Sequence, residues 1–187
     1  MSTPEYLSVL VSIIIGLGIS QVLSGVANLL VDRARVRFYW VWAVAVAMVF
    51  LASVQFWWST FSVGSAVAGN FFSFIFFLLT PIVLYLAAVV ILPDFEGEGE
   101  IDLKSHFFAN HRWYFGFLAA VPLLNATRAV AVSGDPLLAP ERPYEAVFFA
   151  LLVSGIVIDR EGWQKMLAVA LVALFVTFIV VAGLRPG

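Results

Sequence analysis

Ser8, Ser12, Gly16, Ser20, Ser24 and Asn28 put a small or hydrogen-bonding side chain at every fourth position of the first apolar stretch, with Gln21 beside them. Such side chains can do two things inside a bilayer. Their small size lets another helix backbone approach closely, and their hydroxyl and amide groups can bond to a neighbouring helix or face a hydrated path. Each step of four residues advances by about 40° on an ideal helix, so the row winds slowly around it. Gly18 and Gly25 narrow the same helix further.

Arg128 is the one unambiguous charge deep in an apolar segment, and Asn125 lies three residues earlier on the same helical face. In a span centred near Pro122, Arg128 lies about 9 Å from the midplane. Its side chain can snorkel to the interface, or pair with Glu145 or Glu5 and form an anion or substrate gate.

Asp94, Glu96, Glu98, Glu100 and Asp102 alternate through the longest polar stretch. Laid on a calcium-binding loop, Asp94 takes position 1, Glu96 position 3, Glu98 position 5, Gly99 position 6 and Asp102 position 9. Ser105 then falls where a bidentate Glu is needed. Asp94, Glu96, Glu98 and Asp102 are therefore a weak candidate for a divalent cation in a loop whose default reading is a solvated acidic segment. His106 and His111, the only histidines, are five residues apart and fall on different helical faces at the membrane edge. They are too few for a zinc site and wrongly placed for axial haem ligands.

These residues must be positioned by membrane-crossing helices. Of the 187 residues, 63% are hydrophobic and 12% charged, against roughly 25% charged in ordinary globular chains, which excludes a soluble single domain. Charge and turn clusters divide the chain into apolar segments at about 7–31, 40–63, 71–92, 113–132, 144–158 and 163–184. Each but the fifth approaches or exceeds the roughly 18 residues that cross the hydrocarbon. The fifth has 15 residues including Glu145, and reads as a short span or as part of a re-entrant hairpin. The fold expected is all-α, a single six-helix transmembrane bundle over 1–187. Leu103, Phe107 and Phe108, set among Lys104, His106, Asn110 and His111, predict a short amphipathic interfacial helix before span four, at the end of the loop 93–112.

Phe38, Tyr39, Trp40 and Trp42, then Trp57 and Trp58, mark the two ends of the second span at the headgroup level, as Trp113, Tyr114 and Trp163 do elsewhere. With six spans, Arg33, Arg35, Arg37, Lys104, Arg112, Arg160 and Lys165 share one side, and Arg142 and Arg185 the other. The positive-inside rule then sets both termini outside, which in a bacterial cell means an inner-membrane protein with periplasmic termini. The first segment lacks a cationic n-region and a cleavage site, so it is expected to stay as an anchor.

With no cysteine, disulfides and thiolate chemistry are excluded. A net charge of −2 leaves no basic stripe for nucleic acid. Lys104 and Lys165 sit at span ends, away from a mid-span Schiff-base position, and the first-helix serines have no in-span base to activate them. No cofactor and no enzymatic activity are expected. Pro81 and Pro122 predict kinks in spans three and four. Two functional classes remain. The depth of the polar row favours an oligomeric channel or transporter for an ion or small solute, lined by Ser12, Gly16, Ser20, Gln21, Ser24, Asn28, Asn125 and Arg128. The alternative is a non-catalytic scaffold or accessory subunit packing by the same row. In either case the partners expected are lipid and further copies of the chain or another membrane subunit.

Overall fold

The computed structural model describes residues 3–63, 71–95, 99–128 and 142–183, with side chains at 9–59, 74–95, 99–127 and 143–180. The chain is almost entirely helical: α1 (Thr3–Val31), α2 (Trp40–Val63), α3 (Phe71–Ile91), α4 (Leu103–Arg128), α5 (Arg142–Val157) and α6 (Glu161–Gly183). Among the described residues, four stretches are long and apolar enough to cross a membrane: Val9–Val31, Trp40–Ser59, Phe74–Ile91 and Glu161–Val180. The apolar helices fit a membrane-embedded protein. The 16 residues of α5 extend about 24 Å, short of the roughly 30 Å of hydrocarbon.

α3 lies against α1, α2 and α4, while α4 also packs on α5, and α6 closes against α2 and α5. Ala87 and Ala88 of α3 are fully buried. Around them a continuous core gathers Val49, Ile91, Phe107, Tyr114 and Leu152, all at most 1% exposed. Buried aromatic donors tie helices to one another's carbonyls. Tyr114 Oη donates to Ala45 O at 3.0 Å and Trp42 Nε1 to Ile91 O at 2.7 Å, so polar tips that would be costly in a dry interior are satisfied. Tyr144 Oη reaches Leu174 O at 2.9 Å and joins α5 to α6.

The expected interfacial helix is instead the opening of α4, which runs unbroken from Leu103 to Arg128. Neither Gly nor Pro lies between Asp102 and Gly116 to stop it. Asp102 caps its start, its Oδ1 accepting the Lys104 backbone N–H at 3.0 Å and its Oδ2 the Ser105 hydroxyl at 2.7 Å. The apolar side of these first turns, Leu103, Phe107 and His111, is buried in the bundle. α3 and α4 stay helical through Pro81 and Pro122.

A parallel two-residue ladder pairs Val36 with Ile101 and Arg37 with Asp102. It joins the α1–α2 connection to the α3–α4 connection, and Arg37 and Glu100 add an ion pair of 3.5 Å across it.

Candidate functional site

α1 has two faces of different chemistry. Val11, Ile15, Gly18, Val22, Gly25 and Leu29, spaced alternately by four and three residues, are buried. This is the spacing of a left-handed helix pair. Gly18 brings α1 close to the backbone of Tyr85, whose Cα would lie 3.7 Å from an added Cβ. At Gly25 an added Cβ would come within 2.5 Å of Leu92 Cδ2, so any larger residue requires the Leu92 side chain to shift.

The polar row occupies the other face. Ser12, Gly16, Ser20, Ser24 and Asn28 are all exposed, and Gln21 is half-buried at the edge. At 100° per residue the two sets are centred about 180° apart. Nothing lies within 4 Å of a Cβ placed on Gly16. The side chains of Ser12, Ser20, Gln21, Ser24 and Asn28 have no hydrogen-bond partner among the described residues. Exposed Ile13, Leu17 and Leu23 flank the row. The Ser8 side chain lies outside the described residues.

Asn125 is half-buried in the last turn of α4, and Glu145 is half-buried in the first turn of α5. The backbone of Arg128 ends α4. Its side chain, and with it the Arg128–Glu145 pair, lies outside the described residues. Glu96 and Glu98 also lie outside them. Asp102 is committed to capping α4, and its carboxyl is held below its usual range, first by the Ser105 hydroxyl. Among the described residues no cluster of three or more His, Asp or Glu is placed to hold a metal.

The structure also builds a charged layer that sequence reasoning missed, at the end where the α1–α2, α3–α4 and α5–α6 connections meet. His111, expected at the membrane edge, is buried and packs 6.1 Å from the Phe107 ring. Its Nδ1 is 2.8 Å from Phe108 O and its Nε2 is 2.9 Å from Asp159 Oδ1. Each ring nitrogen thus faces a protein oxygen. Arg112 donates to the second Asp159 oxygen at 2.6 Å. Arg112 first and His111 second hold the Asp159 carboxyl below its ordinary range. Two residues along, Glu161 accepts from Lys104 at 2.6 Å and from Lys165 at 2.8 Å.

Among the described residues, three buried polar atoms have no hydrogen-bond partner: Tyr39 Oη, His106 Nε2 and Gln164 Oε1. Tyr39 is pushed up to about 12, chiefly by burial and then by the charge of Glu161. Burial pulls His106 down, against the opposing pull of backbone groups at the end of α3 and just beyond it, Val90 to Leu92. Gln164 Nε2 caps the end of α5, donating to Gly155 O at 3.0 Å and Ile158 O at 2.8 Å. The legible clue to this layer was charge: Asp159 and Glu161 sit in a turn on the same predicted side as Lys104 and Arg112. Their pairing across 47 or more positions had no local signature.

Compared with family models, curated proteins and solved structures, the chain matches none.

Proposed function

We propose that the chain is a non-catalytic inner-membrane subunit that assembles with further copies of itself through the outward face of α1. The observation carrying this reading is the row Ser12, Gly16, Ser20, Ser24 and Asn28, exposed at membrane depth on the face opposite the one packed against α3. Hydroxyl and amide groups facing lipid are unfavourable, whereas small residues every four positions suit a close, right-handed helix crossing. Such a surface is self-complementary about a two-fold axis. The charged layer supports a structural role for its residues, since His111 has neither ring nitrogen left for a substrate. The cationic connections are assigned to the cytoplasmic side and both termini to the outside, following the positive-inside rule.

A second reading, an oligomeric channel or transporter, is favoured by the depth of the row. From Ser12 to Asn28 it covers about 24 Å of helix, and on an assembly axis it would line most of a hydrated path. Single cysteines at Ser12, Ser20 and Ser24, in a chain with no native cysteine, separate the two when probed in membranes with a charged, water-soluble thiol reagent. Protection at all three positions supports dry assembly. Rapid labelling at all three supports the path.

A further inference from the structure

We propose that the pocket at the α5–α6 turn binds the phosphate of an anionic phospholipid, with Arg160 as its cation. This goes beyond assembly through α1 and requires only that the chain is embedded in a membrane. The pocket, about 600 Å³, is lined by Val157, Ile158, Asp159, Arg160, Trp163 and Met166.

Charge selects the ligand. Lys104, Arg112, Arg160 and Lys165 surround the turn, against the carboxylates of Asp159 and Glu161. The two oxygens of Asp159 are taken by His111 and Arg112, and those of Glu161 by Lys104 and Lys165. Arg160 is exposed and has no carboxylate partner among the described residues. Four cations against two carboxylates leave an excess positive charge around one uncommitted guanidinium. Asp159 lines the same pocket, but its charge is already offset by its two donors.

Shape decides between a lipid and a free anion. Val157 is 71% exposed and Met166 62%, and the row continues along α6 through exposed Val169, Val172 and Val176. An acyl chain would cover this track while its phosphate meets Arg160; inorganic phosphate would leave the track bare. Trp163 stands at the wall, its Nε1 donating to Ser154 Oγ at 3.3 Å. Interfacial tryptophans favour this level of a bilayer.

The test uses the full chain in nonionic detergent, titrated with phosphatidylglycerol or phosphatidylcholine and read by native mass spectrometry. Wild type should prefer phosphatidylglycerol by roughly fivefold, the effect of one basic residue near an anionic surface. Arg160→Gln should erase that preference at unchanged melting temperature, because the side chain makes no hydrogen bond or ion pair among the described residues. Arg160→Lys should retain most of it, and Arg33→Gln, at the same end on another connection, should retain all of it. Equal binding of the two lipids by wild type, or a preference that survives Arg160→Gln, would overturn the proposal. Displacement of phosphatidylglycerol by millimolar inorganic phosphate would also overturn it, assigning the pocket to a soluble anion.

Discussion

The outward face of α1 and the charged layer at the α5–α6 turn hold polar groups under opposite regimes. In the layer, Asp159 and Glu161 each take two donors from other positions in the chain. On α1, four polar side chains from Ser12 to Asn28 are exposed and take none. At the water-facing end pairing is optional, because exposed ion pairs contribute little and solvent can replace either partner. Within a bilayer no such substitute exists, so on the proposed reading the polar side chains of α1 find their partners in a second copy. The layer's pairs form within a single copy, and the row is the surface we propose for assembly.

The contrast breaks most severely at Gly25. Gly25→Leu drives side-chain atoms into Leu92, already 2.5 Å from an added Cβ, and overpacking of this kind costs about 1–3 kcal/mol. α1 should separate from α3, seen as an early unfolding transition in a denaturing-detergent titration. Gly16→Leu, nine residues earlier on the opposite face, meets open space. It should leave that transition in place while weakening self-association by roughly tenfold or about 1.4 kcal/mol, measured by dilution in bilayers. If both variants damage only the monomer fold, the two faces are not functionally distinct.

The charged layer gives a smaller, pH-dependent effect. Because the folded state holds the Asp159 carboxyl below its ordinary value of 3.8, its stabilisation is complete above that value. It is lost as pH falls through the lowered one. His106, pulled down by burial, acts with the same sign from a higher starting point, its contribution fading as pH falls below about 6.5. Melting temperature should therefore decline from neutral pH downward in two stages, and Asp159→Asn should lower the plateau and shrink the more acidic stage, which Asp102 and Glu161, also held low, share. A single stage that Asp159→Asn leaves untouched would show that the His111–Asp159–Arg112 contacts contribute nothing. The smallest change belongs to Tyr39→Phe. Removing a buried hydroxyl that has no partner among the described residues should be neutral or slightly stabilising, within about 0.5 kcal/mol. A clear loss would mean that the hydroxyl has a bonding role.

Much of this architecture was readable in advance, for identifiable reasons. The segments 7–31, 40–63 and 71–92 foreshadow α1, α2 and α3 closely, because uninterrupted apolar runs bounded by Arg33, Phe38 or Pro93 leave little choice of ends. The opening of α4 was misassigned because an amphipathic face reads the same whether it meets lipid or protein. Burial of Phe107 and His111 against the bundle is a tertiary fact. The Val36–Ile101 ladder is too short to carry any periodicity. In α1 the row of small and polar residues stood out, whereas the alternating row through Val11, Gly18 and Gly25 was just as visible and shows which way the helix turns. With that second row in hand, the sequence alone sets the polar face away from the fold.

Oxidative cross-linking of single-cysteine variants along α1, in native membranes, tests the central claim most directly. Gly16→Cys, Ser20→Cys and Ser24→Cys should form disulfide-linked dimers, while Val22→Cys, buried against the rest of the chain, and Leu17→Cys, on the apolar flank, should not. Cross-linking that is absent from the row, or no stronger there than at Leu17, would show that the outward face of α1 meets lipid and that the chain does not assemble through it.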